Sequence, residues 1–124
     1  MLLELFDCDA EALNSLETVK THMVEAAKRA QATIVDVVFH EFNPFGISGV
    51  VVIAESHLAV HTWPEYRYAA VDIFSCGEML QPQVAADYLV EQFGATRASV
   101  VELQRGIFIH AAAPLLHKPV AVQA

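Results

Sequence analysis

Apolar residues change their spacing several times along the chain, and each change marks an element. Leu2, Leu3, Leu5 and Phe6 crowd together and read as a short strand. From Asp9 to about Gln31 the apolar positions Leu13, Leu16, Val19, Met23, Ala26, Ala27 and Ala30 recur at steps of three and four. Glu17, Lys20, Glu25, Lys28 and Arg29 fall between them, so the spacing predicts one amphipathic helix capped by Asp9. From Thr33 to Phe42 the residues are β-branched and aromatic, which predicts a strand. Asn43-Pro44-Phe45-Gly46 is a turn signal. Gly49 to Ala54 predicts a second strand of this central group, and its unbroken apolar run implies burial on both faces. Leu58 to Trp63, stopped by Pro64, and Tyr68 to Phe74 predict two more. Pro82 suits the first turn of a second helix with the stripe Val84, Ala85, Tyr88, Leu89 and Phe93, and Gly94 ends it. Ala98 to Leu103 and Ile107 to Ile109 read as strand.

The order is strand, helix, several strands, helix, strand. Short turns in the middle imply an antiparallel sheet with both helices on one face, an α+β two-layer sandwich. No repeat or linker divides the 124 residues, so residues 1–110 read as a single domain and 111–124 as an unpatterned tail.

Composition narrows the choice of partners. Hydrophobic residues make up 55% and charged residues 18%, which excludes disorder and predicts that another chain covers part of the surface. Fifteen acids against seven scattered bases give a net charge of −8, the wrong sign for a general nucleic-acid binder. No apolar run reaches the roughly 18 residues of a membrane span. The opening Met1-Leu-Leu-Glu-Leu-Phe-Asp7 lacks a basic leader, and Cys8 and Cys76 are too few for a disulfide scaffold. Both point to the cytoplasm.

Polar, reactive residues are set densely among the central strands: Ser48, Glu55, Ser56, His57, His61, Trp63, Glu65, Asp72, Ser75 and Cys76. His57 and His61 would share one face of a helix, but on a strand four residues span about 13 Å, too far for one zinc. No metal is expected. Taken singly, each histidine reads first as a structural residue, and Cys76 as a packed thiol. Cys76 with His61 could also make a nucleophile and base, although no protease signature surrounds either. Gly46-Ile-Ser-Gly49 lacks the spacing of a nucleophile elbow, and strand rather than helix follows it. From spacing alone, Glu55-Ser56 is a hairpin turn.

Two longer runs change that balance. Ser48-Gly-Val-Val-Val-Ile-Ala-Glu-Ser-His-Leu-Ala-Val-His-Thr-Trp-Pro-Glu-Tyr66 and Tyr68-Ala-Ala-Val-Asp-Ile-Phe-Ser-Cys-Gly77 resemble the prokaryotic S-adenosylmethionine decarboxylase proenzyme family. The similarity extends from Leu2-Leu-Glu-Leu-Phe-Asp-Cys-Asp9 to Val100-Val-Glu102. The resemblance implies a chain that cuts itself between Glu55 and Ser56, into a β chain of residues 1–55 and an α chain of residues 56–124. Ser56 would attack the Glu55 carbonyl to form an ester, and β-elimination would convert it into a pyruvoyl group. By the same match His61 accepts the proton in processing, Ser48 supports processing and catalysis, and Cys76 is the proton donor. Phe42 would stack on adenine, Glu65 would hold the ribose hydroxyls, and Trp63 would be cavity wall or core.

The pyruvoyl carbonyl would condense with the substrate amine and serve as electron sink for decarboxylation, in place of pyridoxal phosphate. A free thiol, with an ordinary pKa of about 8.5, is mostly protonated at neutral pH and suits a proton donor. The resemblance further implies a homodimer of processed protomers whose active sites draw on both. An acidic chain suits a cationic sulfonium substrate.

Two departures stand out. Arg67 occupies a position where that family has glycine, beside Glu65, and the segment with Gly and His that usually precedes Leu2 is missing from this sequence. The alternative readings are the same pyruvoyl chemistry on arginine or ornithine, and a non-enzymatic dimeric α+β binding module.

Overall fold

In a computed structural model of the chain, residues 1–76 and 79–106 are described. Strand β1 (Leu2–Phe6) is followed by α1 (Ala10–Leu13) and α2 (Leu16–Arg29). Then come β2 (Ile34–Glu41), β3 (Ile47–Ile53), β4 (Ser56–Trp63), a 3-10 turn (Pro64–Tyr66), β5 (Tyr68–Ser75), α3 (Pro82–Gln92) and β6 (Arg97–Val101). The six strands form one sheet in the order β2-β3-β4-β5-β1-β6, antiparallel at every junction. The α+β sandwich is the expected one. The strand expected at Ile107 to Ile109 and the tail from 111 lie outside the described residues.

The single helix expected from Asp9 to Gln31 is two. Asp9 Oδ1 accepts from the Glu11 and Ala12 N–H groups and caps α1, but Asn14 ends that helix after one turn. Ser15 Oγ then accepts from the Thr18 N–H and starts α2. Apolar periodicity runs through the break because both helices bury the same side; a new cap inside the pattern is what divides them. The break has a use: Asn14 Oδ1 accepts from the Gly46 N–H and fixes the β2–β3 turn.

Strand register separates two faces. Leu3 and Leu5, Ile47, Val51 and Ile53, Leu58 and Val60, and Ala69, Val71 and Ile73 are buried under Val19, Met23 and Ala27 of α2 and Ala86 and Leu89 of α3. Thr62 is the buried polar residue of this layer, donating to the Leu13 carbonyl and accepting from the Ile47 N–H. The opposite face holds the alternate positions, and no helix among the described residues covers it. Val50 and Val52 on that face are half-buried, so the expectation that β3 is buried on both faces fails. An apolar run reports what a strand can bury, not what is there to bury it.

Gly49 belongs to the covered face, where the Phe39 ring of β2 lies across it, and a Cβ there would collide with that ring. Its smallness lets β2 and β3 pair closely, and so places the neighbouring Ser48 on the open face.

Candidate functional site

The chemistry-bearing residues gather on or beside the open face, at the two ends of β4. At its start, residues 54 and 55 form the hairpin link from β3. Ser56 closes that link with a φ of 146°, a region costly for any residue with a side chain, on the order of 1–3 kcal/mol. The surrounding contacts hold it there. The Glu55 carbonyl accepts from the Cys76 N–H at 3.0 Å. Glu55 Oε1 accepts from the Thr33 N–H at 3.0 Å. Ser56 Oγ lies 3.1 Å from Cys76 Sγ, because Ser56 pairs with Ser75 across the β4–β5 ladder. The peptide between Glu55 and Ser56 is thus gripped on its carbonyl oxygen and beside its hydroxyl by one residue, Cys76. A cavity of about 540 Å³ opens next to it, walled by Leu2, Asp72, Phe74, Cys76, Pro82 and Arg105.

At the other end, Ser48 pairs with His61 across β3 and β4, and Ser48 Oγ lies 2.7 Å from His61 Nδ1. His40 continues the same row on β2, with the Phe42 ring edge-on to it at 4.5 Å. Trp63 stands two positions on from His61, its ring 6.5 Å from the imidazole and 5.2 Å from Tyr68. Glu65 sits in the 3-10 turn that follows. An aromatic row continues from Trp63 through Tyr68 to Phe6, whose ring lies under the Arg97 guanidinium. Tyr68 also donates to Glu4; burial first, and then this bond, pushes its phenol up to about 12.

The expected site residues therefore form two groups. Glu55, Ser56 and Cys76 are together; Ser48, His61 and Trp63 are together, with Phe42 joined to them through His40, while Glu65 follows Trp63 in the 3-10 turn. Ser56 and His61 are five residues apart on one strand, roughly 16 Å at 3.3 Å per residue, so a single chain does not bring them into contact. Sequence reasoning missed the Cys76 and Thr33 backbone donors, because main-chain N–H groups leave no signal in residue identity. The strain at Ser56 was equally hidden.

Arg67, the departure beside Glu65, is turned toward Cys8. It adopts a left-handed conformation with a φ of 53°, a conformation that favours glycine. Its Nε donates to the Cys8 carbonyl at 2.7 Å, and its own carbonyl accepts from the Cys8 N–H. The side chain is spent on tying the 3-10 turn to the end of β1. Cys8 itself is fully buried, and burial chiefly, with the Asp7 carboxylate adding, pushes its thiol up to about 11. It packs in the core cluster.

Fold and site together fit a small α+β enzyme in which Ser56 closes a strained hairpin instead of standing on a nucleophile elbow. A family model described as S-adenosylmethionine decarboxylase matches residues 1–106, and the chain belongs to that family. It is 58% identical over 118 residues to the S-adenosylmethionine decarboxylase proenzyme of Thermodesulfovibrio yellowstonii, covering 95% of this chain and 87% of that protein. It is 51% identical over 106 residues to the proenzyme of the same name from Acidithiobacillus ferrooxidans, covering 86% of this chain and 80% of that one. The crystal structure of the adenosylmethionine decarboxylase from Aquifex aeolicus superposes with a TM-score of 0.81 at 32% identity, covering 90% of this chain and 92% of that one.

Proposed function

We propose that the chain cuts itself between Glu55 and Ser56 and carries the resulting pyruvoyl group at residue 56. The mature enzyme decarboxylates S-adenosylmethionine and yields the aminopropyl donor used to make spermidine. The observation that carries the cleavage reading is the grip of Cys76 on the strained Glu55–Ser56 link.

The steps follow from that grip. Ser56 Oγ attacks the Glu55 carbonyl carbon; the new C–O bond forms as the C–N bond breaks, leaving an ester and a free amine on Ser56. Charge that builds on the carbonyl oxygen meets the Cys76 N–H, a donor already in place. Breaking the link also releases the strain at Ser56. A base then takes the Ser56 Cα proton, and the Glu55 carboxylate leaves by β-elimination. That leaves a dehydroalanine, which gains a proton at Cβ and loses one from nitrogen to become an imine. Water then replaces the nitrogen, ammonia departs, and a ketone remains at residue 56.

His61 is that base, its ring oriented through Nδ1 by Ser48. Since His61 lies at the far end of β4 from its own Ser56, the base comes from a second copy. Two copies packed open face to open face, in opposite directions, bring the Ser56 end of one over the His61 end of the other. Leu2, Val38, Trp63 and Val101, all exposed large apolar residues on that face, support this arrangement.

When formed, the pyruvoyl group supplies a carbonyl sink for the electron pair left by carbon dioxide. Cys76 Sγ, already beside residue 56, is placed to return a proton to the substrate carbon. Phe42 stacks on the adenine, Glu65 accepts from the ribose hydroxyls, and Trp63 walls the site. We assign the enzyme to the cytoplasm as a homodimer. Carbon dioxide release from labelled S-adenosylmethionine, arginine and ornithine tests the substrate: release from the first alone is expected, and release from either amino acid without the first contradicts the assignment.

A further inference from the structure

We infer that Asp72 and His57 form a clamp that holds the new end of β4 beside Cys76 once the chain has been cut, an inference that rests on the cleavage reading above. His57 directly follows Ser56 and pairs with Phe74 on β5. Its Nε2 lies 3.5 Å from Asp72 Oδ2, at the long end of the hydrogen-bond range, and its ring lies 5.6 Å from the Phe74 ring. The Arg105 guanidinium caps Phe74 at 4.0 Å. Asp72, Phe74 and Arg105 wall the cavity that reaches Cys76.

The clamp matters differently in the two states of the chain. Before cleavage Ser56 is held on its upstream side by the hairpin, which Thr33 and Cys76 anchor through Glu55. Cleavage removes that tether, and residue 56 becomes a chain end with Ser75 as its pairing partner. Chain ends fray unless something ties them down. The first side-chain tie downstream is the one at His57. A half-exposed pair contributes little to global stability. Opening of an end rung, however, has a free energy near zero, so a weak tie decides how often the end is in register. A residue 56 out of register is displaced from the Cys76 thiol.

Asp72→Asn and His57→Phe, which keep shape and ring contact, test this singly and together in the full chain. The half-time of self-cleavage and the unfolding midpoint are expected to stay close to those of the parent. In the cut protein, amide hydrogen exchange in the peptide beginning at residue 56 is expected to quicken. With S-adenosylmethionine, kcat is expected to fall about five-fold with KM little changed, and the double variant to be no worse than either single one. Asp72→Glu is expected to restore part of the exchange protection. Cleavage that slows as much as turnover, or exchange that does not change in a cut protein, overturns the clamp alone. A parent chain that is never cut overturns the cleavage reading and the clamp with it.

Discussion

The covered and open faces of the sheet are built from alternate residues of the same strands, yet they are shaped by different demands. On the covered face Leu58 and Val60 of β4 are fully buried against helices. On the open face of the same strand His57 and His61 stand beside Asp72 and Ser48, while Ser56 closes its strained link at the strand's start. One face stores stability and the other stores reactivity, and the period of two in a strand is what allows both in eight residues. Substitutions should therefore separate into those that unfold the protein and those that silence it.

The largest expected effect is that of Ser56→Ala, which removes the attacking hydroxyl and should abolish cleavage. The uncut chain should still fold and unfold in one cooperative transition, because no packed group is lost. Leu58→Ala, two positions on, should do the reverse and cost about 2–5 kcal/mol in urea unfolding. A Ser56→Ala chain that unfolds as readily as Leu58→Ala would break the comparison.

The open face should also be divisible between copies. His61→Ala alone should stay uncut, and so should Ser56→Ala alone. Refolded together, some His61→Ala chains should be cut, because a neighbouring Ser56→Ala chain supplies the imidazole. Gel analysis of the mixture with distinguishable tags decides the matter, and absence of any cut chain counts against a shared site.

Cys76→Ala keeps the backbone N–H that holds the Glu55 carbonyl and loses only the thiol. Cleavage should largely survive while turnover falls by about 100-fold or more. Equal loss of both would mean that the thiol is needed for processing.

The smallest effect belongs to the covered side. His22 of α2 meets Phe93 edge-on at 5.5 Å and Tyr88 of α3 at 6.3 Å, and its buried Nδ1 has no hydrogen-bond partner. Burial holds its pKa below the ordinary 6.5. The unfolded chain therefore takes up the proton more readily, and stability present above about pH 6.5 should decline as the pH falls through and below that value. His22→Phe should flatten this part of the unfolding profile against pH; an unchanged slope would mean that His22 is not its source.

Much of the covered face was legible in the sequence, because burial imposes a period. The stripe Val19, Met23, Ala26 and Ala27 and the alternation Leu58, Val60, Thr62 point to their neighbours without further information. The break at Asn14–Ser15 was not, since the same stripe continues across it. The open face was legible only as a set of misplaced polar residues. Which of them meet depends on register: Ser48 with His61, and Ser56 with Ser75 and so with Cys76. The division of the site between the ends of β4 also escaped the sequence, because nearness along the chain says nothing of the length of an extended strand.

The central claim is that this chain breaks its own backbone at the link gripped by Cys76. Intact mass of the purified protein after incubation measures that directly. Two species are expected, residues 1–55 and residues 56–124, the second beginning with a pyruvoyl group in place of Ser56. One full-length species, stable over the same incubation, would contradict the account.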